Sequence, residues 1–248
     1  IFNNPEIHFK NCIFENCIRD PMSTVFRYML WVLIALVPTA SFSQLRYDYN
    51  AEVGFDSPVY RGEIADKYSF PFIGTVYAYS DEFEMGDIEF NGKMYYGLML
   101  NLNCYRGEVH VRVGTTKDCI VLKNSLVGDF NIGKRRYVSL NGEREIKGLD
   151  AGYYQVLYDG KDMILKQIRV ELYDRAEFPS GNITKVFVPK VKYWLVKEGQ
   201  VRQIRKERDL QRVYKPFKRD IKSYMSHHSE KDMDSNLVYL MSMVEGAH

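Results

Sequence analysis

Cys104, Cys119 and His110 carry the side chains of this sequence best suited to covalent chemistry. A thiolate paired with an imidazole can act as a nucleophile. Two cysteines in an oxidising compartment can instead close a disulfide. Nothing beside either cysteine would lower a thiol pKa, so Cys104 and Cys119 are expected either as a disulfide or as two packed thiols. His110 alternates with valines in EVHVRVG, which predicts an outward-facing histidine on a half-buried strand. The acids Asp81, Glu82, Glu84, Asp87 and Glu89 cluster ahead of a turn. Paired carboxylates serve glycosidases and bind calcium, but this run has no EF-hand spacing and reads as an acidic hairpin. His227 and His228 fall in a polar stretch, SHHSEKDMD. There is no G-x-S-x-G, H-E-x-x-H or phosphate-loop motif. Near the start, Cys12 and Cys17 stand in a C-x4-C spacing close to His8, without the further ligands a structural zinc site needs. These residues therefore predict no catalytic, cofactor or metal site.

A second group of residues speaks to compartment. Residues 22–43 begin with a methionine, carry Arg27, run through the apolar YMLWVLIALV and end on small residues at Ser41 and Ser43. That order is the pattern of a secretory signal, with cleavage between Ser43 and Gln44. The apolar run is too short for a bilayer span, which takes about 20 residues, so no transmembrane helix is expected in the mature chain. Gln44 in place of a cysteine argues against a lipid anchor. Residues 1–21 then read as upstream sequence, residues 44–206 as a β domain and residues 207–248 as a helical tail. The expected location is the periplasm or the periphery of an outer membrane. Asn182-Ile183-Thr184 matches a glycosylation sequon, which is without meaning in a bacterial source.

The elements that must position these residues are announced by turns. Asn91-Gly92, Asn141-Gly142 and Asp159-Gly160, and more weakly Glu198-Gly199, sit between strand-like runs. Asn-Gly and Asp-Gly suit tight hairpins because both central residues take positive φ. The 19 tyrosines and 14 phenylalanines favour strands. About a dozen candidate strands follow, including PVYRGEI and GTVYAYS, with Pro189 marking an edge strand or bulge. The fold class expected is mainly β: an antiparallel meander, as a curved sheet, sandwich or half-barrel, with a C-terminal helical segment.

The period changes in the tail. Leu210, Val213, Phe217, Ile221 and Tyr224 recur at helical spacing, with Asp209 as a candidate N-cap. Asp234 is expected to cap a last helix carrying Leu237, Leu240, Met241 and Val244 on one side. Between Lys190 and Lys222 there are 12 basic and four acidic residues. Such charge suits the phosphates of nucleic acid or of anionic lipid and lipopolysaccharide; export disfavours nucleic acid. The formal net charge of the whole chain is only +2.

Four stretches carry a resemblance: GDIEFNGKMYYGLMLNLN, GYYQVLYDG, YWLVKEG and DLQRVYKPFKRDIKSYM. In these the chain resembles a family of uncharacterised secreted proteins of the Bacteroidota, over most of residues 60 to 244. The shared motifs are turn and packing motifs, and the resemblance implies a fold and export rather than a reaction. The expected function is that of an exported, non-enzymatic binding or assembly module whose partner is a protein or an envelope component. The alternatives are a lipid or lipoprotein carrier with an apolar concave sheet, and a hydrolase with an unrecognised site.

Overall fold

The computed structural model describes residues 57–114, 116, 118–176, 183–228 and 232–246. The expected signal segment with Ser43 and Gln44, the pair Cys12 and Cys17, and Asn182 lie outside the described residues.

Among the described residues twelve strands form one sheet that is antiparallel apart from one short pair. They are β1 (Glu63–Ile64), β2 (Phe72–Ile73), β3 (Glu84–Phe90), β4 (Lys93–Asn103), β5 (Glu108–Arg112), β6 (Cys119–Val121), β7 (Val127–Ile132), β8 (Arg135–Ser139), β9 (Tyr153–Asp159), β10 (Met163–Ala176), β11 (Ile183–Lys197) and β12 (Gln200–Ile204). The order across the sheet is β1-β6-β5-β4-β3-β7-β8-β9-β10-β11-β12, with β2 parallel to β11. The sheet curls until the Val170 amide of β10 donates to the Cys104 carbonyl in the β4–β5 turn, 3.1 Å away. It does not close into a barrel, because β4 and β10 share no ladder.

Three of the four expected hairpins are present, and two of them have a two-residue turn with positive φ at both residues. Asn91 and Gly92 have φ of 52° and 71°, and Glu198 and Gly199 have 49° and 73°. Both are two-residue turns, closed by Phe90 facing Lys93 and Lys197 facing Gln200. The other two differ from expectation. Asp159 pairs with Met163, so that hairpin carries a three-residue loop. Its geometry is set from outside: the amides of Lys161 and Asp162 donate to the Glu245 carboxylate at 2.9 and 2.8 Å. Asn141-Gly142 opens no hairpin. Residues 140–152 instead form a long connection whose Ile146 and Leu149 pack against Val138, Leu140, Tyr154 and Leu165. The stretch GTVYAYS contributes a single bridge, Tyr77 to Asn103, rather than a strand.

The inward face of the curl is filled by Ile88, Leu100, Val109, Val111, Phe130, Tyr137 and their neighbours. Farther along the same face, Ile164, Leu195 and Ile204 receive the helical tail. This is α1 (Leu210–Val213), α2 (Lys218–His227) and α3 (Met233–Gly246). Leu210, Ile221, Leu237, Leu240 and Met241 are fully buried there. Burying each such side chain is worth about 1.5–3 kcal/mol over leaving it exposed. Asp232, rather than Asp234, caps α3: its carboxylate accepts from the Ser235 amide at 2.6 Å and from the Ser235 hydroxyl at 3.2 Å. Asp209 turns backward to accept the amides of Arg205 and Lys206 instead of capping α1.

Candidate functional site

On β10, Ile164, Lys166, Ile168, Val170 and Leu172 share the inward face, by the two-residue period of a strand. Lys166 is therefore a cation placed between two apolar cores. It is 6% exposed. Its ammonium donates to Asp234 Oδ2 of α3 at 2.5 Å and to the Tyr79 hydroxyl at 3.1 Å. Tyr79 donates in turn to Gln155 Oε1, and Tyr193 donates to Asp234 Oδ1 at 2.7 Å. Gln155, Lys166 and Tyr193 are register partners on β9, β10 and β11. A second polar cluster holds the other end of α3. Asp162 accepts from Lys197 at 2.7 Å and Tyr214 at 2.5 Å, while Glu245 takes the Tyr158 hydroxyl and the β9–β10 turn. These two clusters fix the tail to the sheet.

The candidate recognition site lies on the far side of this clamp. The β9–β10 ladder ends at Gln155 and Lys166. Beyond that point β10 leaves β9 and leans toward the β4–β5 turn, to which Val170 bonds. The split is a cleft of about 290 Å³. Its floor includes Leu102, Cys104 and Tyr153, and its walls bring together Asn124, Asn141, Gln167, Arg106, Arg169 and Tyr105. Asn124 is held in place by two bonds, accepting from Tyr153 at 3.0 Å and donating to the Gly107 carbonyl at 2.9 Å. Asn141 Nδ2 is buried and makes no well-formed hydrogen bond. Gln167 is 5% exposed. Gly152 stands at the split with φ of 150°, and a side chain placed there would meet the Gln167 amide. Arg106 reaches Asp66 at 2.9 Å, and Arg169 lies 3.7 Å from Asp150, leaving both guanidinium groups at the rim. The residues lining the cleft include no histidine and no carboxylate.

The structure separates the two cysteines expected either as a disulfide or as two packed thiols. Both are free thiols. Asn103, just before Cys104, pairs with Glu108 at one end of β5, while Cys119 pairs with Arg112 at the other. That is about 13 Å along the strand and about 10 Å across two strand spacings, against a limit of about 7 Å between the Cα atoms of a disulfide. Burial pushes the Cys104 thiol up to about 12. Burial also raises Cys119, against opposing contributions from Tyr77 and Arg112.

His110 is buried, not outward as the alternation suggests, because residues 75–82 cross over that face of β4 and β5. Its Nδ1 lies 3.2 Å from the Tyr77 hydroxyl and its Nε2 3.3 Å from Glu108. Burial, more than any neighbouring charge, lowers its pKa. Tyr77 and Cys119 line one cleft with His110, and the imidazole nitrogens are taken by Tyr77 and Glu108 rather than by a thiol. These groups face a second cleft of about 270 Å³.

The acidic run is dispersed into structural tasks. Asp81 accepts from Thr75, Glu84 pairs with Arg135, and Asp87 holds the Gly97 amide and Asn131. His227 and His228 bond back to the carbonyls of Ser223 and Tyr224. Among the described residues no three His, Cys, Asp or Glu side chains are grouped to hold a metal ion. No described helix is long and apolar enough to cross a membrane.

The cleft residues Asn124, Asn141 and Gln167 belong to no motif. One signal was present for the clamp: Lys166 occupies an inward position in MILKQIRV, and a buried lysine must find an acid. No protein-family profile, curated protein or solved structure matches the chain.

Proposed function

We propose that the protein is an exported, non-enzymatic binding module whose β9–β10 cleft takes a small polar ligand bearing an anionic group. The observation that carries this reading is the convergence of three carboxamides and two guanidinium groups on one apolar-floored cleft. Small-molecule sites combine an apolar surface with a few placed polar groups. Carboxamides match hydroxyl and amide groups; guanidinium groups match carboxylate or phosphate. The lining supplies neither a general base nor an activated nucleophile, which favours recognition over turnover. The carrier alternative has less support, because the side chains of the curl and of the tail occupy the inward face. Export rests on the character of residues 22–43.

The test is calorimetric titration with a hexuronic acid, its neutral hexose and a short acidic peptide. An acidic member should bind, its neutral counterpart should bind more weakly, and Arg169→Ala should weaken the acidic member about tenfold, as for loss of a charge-assisted pair. A protein that binds no acidic member, or binds acid and neutral alike, defeats the reading.

A further inference from the structure

Cations on the described strands and loops are mixed in their pairing, whereas those of the tail are concentrated and almost all without a close carboxylate. Nine on the strands and their loops hold a carboxylate within 4 Å. Between residues 205 and 222 there are eight exposed cations, and among the described residues Arg212 alone has such a partner, Asp209 at 3.5 Å. The other seven have no carboxylate within 4 Å among the described side chains, and all seven are exposed on the outside of the tail. Their placement follows from the helix. In α2, Ile221 and Tyr224 turn to the sheet. Lys218 and Lys222 lie one turn apart on the opposite side with Arg219 beside them, by the 3.6-residue period.

We propose that this face of the tail seats the protein on an anionic lipid bilayer. A cluster of lysines and arginines on the outer side of an amphipathic helix is attracted to acidic headgroups without reading any sequence. Unpaired charges project a field that paired ones cancel. Single-stranded nucleic acid fits less well, since it calls for aromatic platforms on which bases stack. The aromatic residues of this stretch are turned inward: Tyr214 and Tyr224 are buried and Phe217 packs against the same core. The inference is independent of the cleft, which is built from other residues.

The test is co-sedimentation of the full chain with phosphatidylcholine vesicles, with and without about 30 mol % phosphatidylglycerol. Binding should be about tenfold tighter to the anionic vesicles and should fall as salt rises from about 50 mM to about 0.5 M. Lys218→Glu/Arg219→Glu/Lys222→Glu should remove most of that difference. Lys93→Glu/Lys123→Glu/Lys134→Glu, an equal charge change at exposed positions on the sheet, should retain it. Unchanged melting temperatures of both variants would show that the fold is intact. Equal binding to neutral vesicles would assign the interaction to apolar residues 28–37 and overturn the proposal. Equal losses in both variants would assign it to net charge and do the same. Tighter binding to a single-stranded oligonucleotide than to anionic vesicles would replace the lipid by nucleic acid.

Discussion

Lys166 Nζ in the first half of β10 lies 2.5 Å from Asp234 Oδ2 at the start of α3, across 68 residues of sequence. The pair joins the two cores of one sheet face, and it does so with a charge that has almost no contact with solvent. Removing one partner of a buried pair costs more than the pair contributes, because the remaining charge is left uncompensated.

Asp234→Ala should therefore destabilise the protein by about 3 kcal/mol, and Lys166→Met by less, since the Asp234 carboxylate left behind is 30% exposed and keeps its bond from Tyr193. Equilibrium urea unfolding of each variant checks this. Equal costs would mean that the cluster acts through packing alone.

The same clusters predict alkaline sensitivity. Burial alone would lower the Lys166 ammonium, but its bonds to Asp234 and Tyr79 outweigh burial and hold it above the usual lysine range. Burial first, then donation to Asp234 and Asp162, keep the Tyr193 and Tyr214 phenols well above the usual value. All three groups bind their proton more tightly in the folded chain. Their contribution is intact below about pH 10, where the unfolded groups begin to titrate, and is lost as pH rises through the folded values. The thermal midpoint should stay level from about pH 7 to about pH 9 and then fall; a midpoint unchanged at about pH 11 would contradict the clamp.

Cys104 should resist alkylation at neutral pH, because its thiol is buried and held up to about 12. Peptide mapping after alkylation in denaturant should recover both Cys104 and Cys119 as thiols. A linked peptide containing the two would require β5 to be rearranged.

Leu240→Ala should cost about 2–5 kcal/mol, the range for a leucine cavity in a core, since Leu240 is fully buried between α3 and the sheet. Chemical denaturation measures it. A change below about 1 kcal/mol would show that the tail is not docked as described.

Protein recovered from the periplasm of an expressing bacterium should begin at Gln44. Recovery of a chain that retains residues 22–43 would remove the argument for export.

Some of this arrangement was legible and some was not, for identifiable reasons. The Asn91-Gly92 hairpin could be read because its conformation is set by two residues that tolerate positive φ. The apolar face of α3 could be read because Leu237, Leu240, Met241 and Val244 keep one period. The Asp159-Gly160 hairpin could be read but the length of its loop could not, because that loop is fixed by Glu245, 83 residues away in sequence at Asp162. His110 misled because strand alternation identifies two faces but not which of them another segment covers; here residues 75–82 bury the polar one. The cleft was invisible for a similar reason. It exists where β9 and β10 part, and nothing local in Asn124, Asn141 or Gln167 records that parting.

The clamp also sets an order of events during synthesis. The β9–β10 hairpin can form as soon as it emerges, but the partners of Tyr158 and Lys166 arrive 87 and 68 residues later. Until α3 is made, Ile164 and Leu195 have no cover. Contacts this distant form slowly, so the nascent chain passes through a period of incomplete folding with an apolar strand face open. If the chain is exported as proposed, such a delay would keep it competent for threading through a translocation channel, with that face open to a holding chaperone.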